Sequence, residues 1–311
     1  MGQVAMVFPG QGSQKVGMGR AWAEVSVAAR QTFEEADEVL GEPLSRLIWE
    51  GPEEELTLTA NTQPAILTVS TAIDRALAER GVDLAPVVVA GHSLGEYSAL
   101  VAAGAFDFPT ALALVRRRGE LMQRAVPAGV GAMAAILGLD RETVGAVVAE
   151  AAAGGGVVTV ANDNAPGQTV IAGEVEAVER AIALAGDRGA RRAARLPVSA
   201  PFHSPLMAPA RQGMAPHLAA AELRDPEVPV VVNVDARAVT RGEELRDALL
   251  RQIDAPVRWV ESIELAARDF AVDRFFEIGP GNVLCGLNRR IVDGATTVSL
   301  AEPAGLDKLV G

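Results

Sequence analysis

A serine stands between two glycines at the sharpest predicted turn of the chain, Gly91-His92-Ser93-Leu94-Gly95. An apolar, valine-rich run over residues 87–90 precedes it and predicts a strand buried on both faces. Residues 96–103 follow as a predicted helix, and strand, G-x-S-x-G and helix in this order predict a nucleophile elbow. Such a turn exposes the Ser93 hydroxyl and points the Leu94 N–H toward a forming oxyanion. The alternative is a tight turn with a capping serine.

Three histidines are available as the base that a nucleophilic serine needs. His203 lies in a predicted loop, just before Ser204 and Pro205, which are typical of an N-cap and a first helical position. His217 falls in the middle of an Ala-rich predicted helix and is expected on the surface, and the side chain of His92 could point away from its neighbour. His203 is therefore the best placed base, although a loop histidine taken alone is more often structural.

One arginine falls on the buried face of a predicted helix over residues 110–125. Arg118 follows Val115 by three residues on the apolar stripe of that helix. Because a guanidinium does not lose its proton, a buried one needs an anion nearby. That anion could be a protein carboxylate or a substrate carboxylate, and position alone leaves both open. Arg116 faces off the stripe, where it is predicted to pair with Glu120.

Composition limits the class of protein. The chain has 311 residues, 49% of them hydrophobic and 4% aromatic, as is typical of an α/β protein with buried parallel strands. A net charge of −12 argues against nucleic acid as the main partner. The single cysteine, Cys285, excludes an internal disulfide and a cysteine-based metal site. With no signal peptide and no apolar run of membrane-spanning length, a cytoplasmic protein without membrane contact is expected.

Two folding units are predicted from the order of the strands and helices. Residues 127–198 show the β-α-β-β-α-β order of a ferredoxin-like small domain. Within it, residues 157–161 are predicted as a strand and residues 162–167 as a hairpin turn. Residues 1–126 and 199–311 are expected to form a large α/β catalytic domain, with an α/β-hydrolase-like core built on a parallel sheet.

A glycine-containing loop, Pro9-Gly10-Gln11-Gly12-Ser13-Gln14-Lys15, follows the first predicted strand. It lacks the Walker pattern, because Met18 replaces the lysine, and it lacks the dinucleotide fingerprint. Open α/β sheets place their sites at the carboxyl ends of strands, so Gln11 could present a backbone N–H or its amide to a ligand. A plain turn without a ligand is the alternative.

A helix is predicted to begin at Asn61, with Pro64 in its first turn.

Further short motifs accompany the elbow in a definite order. They are Phe8-Pro9-Gly10-Gln11-Gly12-Ser13-Gln14, Asn61-Thr62-Gln63-Pro64-Ala65, Arg118-Gly119-Glu120-Leu121-Met122-Gln123, Gly131-Ala132-Met133-Ala134-Ala135, Pro166-Gly167-Gln168, Leu196-Pro197-Val198-Ser199, His203 and Glu277-Ile278-Gly279-Pro280-Gly281. With these motifs the chain resembles, over essentially its whole length, the malonyl-CoA:acyl-carrier-protein transacylases of bacterial type II fatty-acid synthesis.

The resemblance implies a role for each matching residue. Ser93 attacks a thioester, and His203 takes its proton and returns one to the leaving thiol. The backbone N–H groups of Gln11 and Leu94 bind the oxyanion, and Arg118 grips a malonyl carboxylate through two parallel bonds. The other matching residues are Gln252, whose backbone carbonyl orients the histidine, Gln63 and His92, which line the site, and Asn162 and Asn164, which face the cleft.

The resemblance also implies a ping-pong transfer from malonyl-CoA to acyl carrier protein, without cofactor or metal, and we expect the enzyme to be a monomer. Leu94 after the nucleophile, and Ser199-Ala200-Pro201-Phe202 before the histidine, match malonyl-selective members. Both substrates carry negative charge, so an acidic enzyme needs a local basic surface. The candidates are Arg188, Arg191, Arg192 and Arg195 in one group and Arg289 and Arg290 in another. Scattered solvated arginines are the alternative for each group.

Two other functions stay open from the sequence. The first is a serine hydrolase or thioesterase, whose triad acid would lie between serine and histidine in chain order, where Asp107, Asp140 and Asp163 are available. The second is a catalytically inactive module that binds acyl-CoA or docks a partner.

Overall fold

The computed structural model describes residues 2–127, 129–198 and 200–308. Ser199, which belongs to two of the motifs above and to the predicted domain boundary, lies outside the described residues. The helices are α1 Arg20–Val25, α2 Val27–Leu40, α3 Leu44–Glu50, α4 Glu53–Thr57, α5 Thr59–Glu79, α6 Gly95–Ala102, α7 Phe108–Arg124, α8 Arg141–Ala153, α9 Val175–Asp187, α10 Ala208–Ala220, α11 Gly242–Gln252, α12 Trp259–Asp269 and α13 Val283–Ile291. The strands are β1 Gln3–Phe8, β2 Val88–Gly91, β3 Gly131–Leu137, β4 Val158–Ala165, β5 Gln168–Glu174, β6 Arg192–Arg195, β7 Val230–Val232, β8 Arg237–Val239, β9 Val257–Arg258, β10 Val272–Glu277 and β11 Thr296–Ser299.

The larger sheet has six strands in the order β11-β10-β1-β2-β7-β8. Its neighbouring strands are parallel except for the antiparallel pair β7 and β8, which confirms the predicted parallel sheet. All four residues of β2 are buried, as its apolar run predicts. Phe8 at the end of β1 pairs with Gly91 at the end of β2, so the loop after β1 lies beside the elbow.

The smaller sheet has five strands in the order β6-β3-β5-β4-β9. The predicted sequence of strands and helices in residues 127–198 is confirmed, with β4 and β5 joined as a hairpin. However, β4 extends to Ala165, because residues 162–165 pair with β5 despite two irregularities in register. The predicted turn is therefore confined to Pro166 and Gly167, its predicted start at residue 162 is wrong, and Asn162 and Asn164 lie on a strand. Strand β9, from the C-terminal part of the chain, adds to β4 in parallel.

The longest helix, α5, is buried along most of its length and passes through the main core. It begins at Thr59, so Pro64 lies inside it and the predicted first-turn position is wrong. A proline has no N–H to donate to the carbonyl four residues before it, here that of Ala60. Arg116 on the neighbouring α7 donates to that carbonyl at 2.8 Å and thereby supplies the missing hydrogen bond.

The side chain of Arg116 is held by partners from other parts of the chain. Besides Ala60, it donates to the Asn61 amide oxygen at 2.7 Å and forms an ion pair with Glu42. The predicted pair between Arg116 and Glu120 is therefore wrong, and Glu120 instead pairs with Arg117 at 3.0 Å.

None of the described helices has the length and apolarity needed to cross a membrane.

Candidate active site

The turn between β2 and α6 holds Ser93 in a left-handed backbone conformation, with φ of 53°. Such a conformation in a residue other than glycine costs about 1–3 kcal/mol and needs support from its surroundings. A Cβ on Gly91 would lie 1.9 Å from the Gly95 carbonyl carbon, and one on Gly95 would lie 2.2 Å from the Phe8 carbonyl oxygen. The two glycines therefore allow the close approach of strand and helix that a nucleophile elbow needs.

Ser93 and His203 come together from distant parts of the chain. The Ser93 hydroxyl oxygen lies 2.8 Å from His203 Nε2, and His203 Nδ1 lies 2.9 Å from the Gln252 backbone carbonyl oxygen. Because a carbonyl oxygen only accepts, Nδ1 carries the ring hydrogen and Nε2 is free to take a proton from the serine. His203 also has a positive φ, 58°, in the loop before α10.

The imidazole of His203 is held in its neutral form. It is 4% exposed, and burial, followed by the positive charge of Arg118, lowers its pKa to about 3. A neutral imidazole is the form that accepts a proton. The pair of Ser93 and His203 is therefore arranged as a nucleophile and its general base.

None of the three candidate triad acids reaches the histidine. Asp107 and Asp140 accept backbone N–H groups at the N-termini of α7 and α8, at 2.7 Å each. Asp163 instead pairs with Arg141 at 3.4 Å. The position that an acid takes in a conventional triad is occupied here by a backbone carbonyl.

Arg118 is buried beside the nucleophile. It is 1% exposed, and its Nη2 donates to the Ser93 hydroxyl oxygen at 3.1 Å. Neutral amide oxygens of Gln63 and Gln252 accept from its Nη1 and Nη2 at 2.8 and 2.7 Å. Within the described chain, no carboxylate oxygen lies within 4.0 Å of its nitrogens, and its Nε has no hydrogen-bond partner. The guanidinium is thus held by neutral groups, and an anion in the cavity would supply the negative charge that a buried cation needs beside it.

Two residues that line the cavity carry backbone N–H groups without an acceptor in the described part of the chain. Leu94 precedes the first turn of α6, and Gln11 lies in the loop after β1. Neither N–H has an acceptor among the described residues, and both residues line the same cavity as Ser93. They can act as an oxyanion hole, which is the role that the resemblance implies for them. The side-chain amide of Gln11 donates a long hydrogen bond to the Thr59 hydroxyl at 3.4 Å.

A cavity of about 180 Å³ lies over these groups. The nine predicted site residues that line it are Gln11, Gln63, His92, Ser93, Leu94, Arg118, Asn162, Asn164 and His203. Its apolar side chains are Met122, Met133, Val170, Leu196, Val198 and Phe202, together with Leu94. His92 Nε2 lies 2.8 Å from the Asn164 amide oxygen, so the smaller sheet is hydrogen-bonded to the elbow. Gln252, the tenth predicted site residue, does not line the cavity and contacts the site through its hydrogen bonds to His203 and Arg118.

A buried polar network under the elbow was not predicted. Asn233 accepts from the Ser93 N–H and donates to the Gly91 carbonyl, both at 2.7 Å. Glu96 accepts from the Asn233 N–H and from the Gln252 side-chain amide. Burial raises the pKa of Glu96 to about 8, against the opposing effect of these hydrogen bonds. An acid in the first turn of a helix is usually solvated, so the sequence gives no local sign that Glu96 is buried, and nothing local marks Asn233 either.

Comparisons with known proteins agree with this geometry. Residues 5–308 match the acyl transferase domain family. The malonyl CoA-acyl carrier protein transacylase of Escherichia coli strain K12 is 51% identical over 306 residues, which cover 98% of each chain. The chain belongs to the malonyl CoA-acyl carrier protein transacylase family. It is therefore an acyltransferase enzyme, as the resemblance implies.

Solved structures of this transacylase family superpose on nearly the whole chain. An acyl carrier protein S-malonyltransferase from Vibrio cholerae has a TM-score of 0.95 at 50% identity and 99% coverage of both chains. A malonyl-transacylase solved in complex with its type II PKS acyl-carrier protein has a TM-score of 0.95 at 49% identity and 98% coverage of both chains. The mixed α/β fold with parallel strands is thus the fold of the transacylase family.

The two groups of arginines that are predicted to form basic surfaces differ in their ion-pair and hydrogen-bond partners. In the first group, Arg188 pairs with Glu150, and Arg195 with Glu179 at 3.5 Å. Arg191 and Arg192 have no ion-pair partner among the described residues. In the second group, Arg289 donates to Thr297 at 2.5 Å and Arg290 to Gln168 at 2.7 Å. Of the two groups, Arg191 and Arg192 are therefore the arginines whose guanidinium groups have the fewest partners.

In residues 2–127, 129–198 and 200–308, no cluster of three or more His, Cys, Asp or Glu could hold a metal ion.

Proposed function

We propose that this protein transfers a malonyl group from malonyl-CoA to the phosphopantetheine thiol of an acyl carrier protein, in fatty-acid biosynthesis. The observation that carries the proposal is the buried Arg118 guanidinium, 3.1 Å from the Ser93 hydroxyl and held by neutral amides. A malonyl group bound as an ester to Ser93 would place its free carboxylate where this cation lacks an anion. Acetyl groups have no such carboxylate, so Arg118 favours malonyl.

In the first half-reaction, Ser93 attacks the thioester carbonyl while His203 Nε2 takes the hydroxyl proton. The carbonyl oxygen becomes an oxyanion, which the N–H groups of Gln11 and Leu94 stabilise. The intermediate collapses with loss of the C–S bond, and His203 returns the proton to the CoA thiolate. The Gln252 carbonyl stabilises the imidazolium in between, in the role that an acid has in a triad.

The second half-reaction repeats these steps with a different thiol. The phosphopantetheine thiol gives its proton to His203 and attacks the malonyl ester carbonyl. The ester C–O bond then breaks, and His203 returns the proton to the Ser93 oxygen. Gln63 holds Arg118 during both steps. His92, Asn162 and Asn164 bound the space above the acyl group on the side of the smaller sheet.

We also infer a division into two domains. Residues 127–198 form a ferredoxin-like small domain, a proposal supported by the order β6-β3-β5-β4, which is 4-1-3-2 in domain numbering. Residues 1–126 and 199–311 form the α/β-hydrolase-like catalytic domain, although β9 of this part joins the small sheet. We expect a cytoplasmic monomer that needs no cofactor and binds no nucleic acid.

Incubation with malonyl-CoA, with and without a pantetheine thiol acceptor, distinguishes transfer from hydrolysis. We expect a stoichiometric malonyl adduct on Ser93 without acceptor, and rapid turnover only when the thiol is present. Release of free malonate at the full rate without acceptor would identify a thioesterase instead. A Ser93→Ala variant is the matched control for the adduct.

The same experiment tests the inactive-module alternative. Intact-mass spectrometry of an inactive binding protein would show no covalent malonyl group, whatever its affinity for malonyl-CoA. A panel of acyl-CoAs then gives the acyl selectivity. We expect malonyl to be the preferred group, with acetyl and longer unbranched chains transferred more slowly.

A further inference from the structure

The Gln252 side chain lies between two buried ionisable groups. Its Oε1 accepts from Arg118 Nη2 at 2.7 Å, and its Nε2 donates to Glu96 at 2.5 Å and to the Ser93 carbonyl at 2.9 Å. Arg118 and Glu96 are each 1% exposed, and Gln252 is fully buried. These contacts are separate from the backbone carbonyl of Gln252, which orients His203.

A neutral amide in this position has an electrostatic consequence. Opposite charges in a desolvated site attract strongly, so a guanidinium and a carboxyl in contact would form an ion pair and favour the carboxylate form. The amide prevents this contact, because it offers its oxygen to the guanidinium and its N–H to the carboxyl. Arg118 consequently keeps a charge that no described carboxylate neutralises at contact distance.

We propose that the Gln252 side chain is a specificity-determining spacer, which keeps Glu96 from pairing with Arg118 and so reserves Arg118 for the carboxylate of the acyl donor. The inference rests on the proposed function, since it presumes a donor with a free carboxylate. Gln252 thus serves the site twice: its backbone carbonyl positions the base, and its side chain sets the preference between malonyl and neutral acyl groups.

The test uses Gln252→Met, which keeps the backbone carbonyl and the side-chain length but removes the amide. The measurement is the ratio of kcat/KM for malonyl-CoA to that for acetyl-CoA, in the full-length protein. We expect the ratio to fall at least ~10-fold, because a charge-assisted hydrogen bond to the malonyl carboxylate is weakened when Glu96 reaches Arg118. Acetyl transfer also reports any general damage to Ser93 or His203.

A second variant separates the spacer role from simple packing. The double variant Glu96→Gln/Gln252→Met removes the Glu96 carboxyl that would pair with Arg118, and the glutamine oxygen can still accept from the Asn233 N–H. We expect the malonyl-to-acetyl ratio to return to within ~3-fold of the original. Gln63→Met is the matched control, since Gln63 also accepts from Arg118 but its amide N–H faces the Met122 sulfur at 3.7 Å. Adding Glu96→Gln to Gln63→Met should rescue nothing.

The outcomes are distinct. If Gln252→Met lowers malonyl and acetyl transfer equally, or if Glu96→Gln restores no preference, the spacer role is overturned and the side chain only braces the elbow. If the unaltered protein shows no preference for malonyl over acetyl, the proposed function fails first. Thermal unfolding of each variant confirms that the compared proteins are folded.

Discussion

The two walls of the cavity are built differently. On the side of the larger sheet, Ser93, His203, Arg118 and Gln252 are joined by direct hydrogen bonds between 2.7 and 3.1 Å. On the side of the smaller sheet, most of the lining is apolar, and Asn164 reaches across to His92. From this comparison we infer that the wall on the larger sheet fixes the reacting atoms and that the wall on the smaller sheet shapes the space for the proposed acyl group.

The largest loss of activity is expected from removal of the base His203 on the wall of the larger sheet, which is called the first wall below. His203→Ala should lower kcat for both malonyl and acetyl transfer at least ~10³-fold, because the Ser93 hydroxyl would have no proton acceptor. Single-turnover acylation followed by mass spectrometry measures this directly. A loss below ~10-fold would mean that another group acts as the base and that the first wall is wrongly assigned.

Replacing one asparagine beside each wall by alanine tests whether the two walls differ in their effect on activity. Asn233→Ala would remove the partner of the part-buried Ser93 N–H and of the buried Gly91 carbonyl, which costs about 1–3 kcal/mol for the buried group, and it should slow malonyl and acetyl transfer about equally. Asn164→Ala removes the bond to His92 and should change either rate less than ~3-fold. The measurements are the free energy of unfolding and kcat/KM. Equal losses in the two variants would remove the distinction between the walls.

A pH profile tests the electrostatics of the first wall. Because the pKa of His203 is lowered to about 3, the base stays neutral, and acylation by p-nitrophenyl acetate should not decline from about pH 7 to about pH 5. Arg118→Ala removes a nearby positive charge, so the pKa of His203 should rise and the acid limb should move to higher pH. An acid limb near pH 6.5 in the unaltered protein would contradict this account.

The smallest change in activity is expected from charge reversal at Arg191 and Arg192, which line neither wall of the cavity. Reversing the charge of Arg191 and Arg192 to Glu should raise KM for the carrier protein more than KM for malonyl-CoA, because a protein partner contacts a wider surface. The effect should weaken as salt is added. Reversal of Arg290, which donates to Gln168, is the comparison variant. No change in the carrier's KM would exclude the Arg191 and Arg192 surface as a docking site.

The sequence predicted the parts of the site that depend on local pattern. The elbow followed from a valine-rich strand, two glycines and a helix, and the burial of Arg118 followed from helical periodicity. The partners of side chains were harder to predict, because they come from other elements. Arg116 turns away from Glu120 toward the carbonyl that Pro64 leaves free, and Asn162 and Asn164 extend a strand although their residue types favour a turn. The contact of Asn233 with Ser93 depends on how β7 packs beside β2, which no local signal reports.

Competition between malonyl-CoA and acetyl-CoA for Ser93 tests the central claim most directly. Intact-mass spectrometry of the acyl enzyme, formed from an equal mixture, gives the ratio of the two adducts for the unaltered protein and for Arg118→Ala. We predict that the unaltered protein carries mainly malonyl and that Arg118→Ala shifts the ratio toward acetyl at least ~10-fold. The same ratio in both proteins would contradict the claim that the buried guanidinium selects the acyl group.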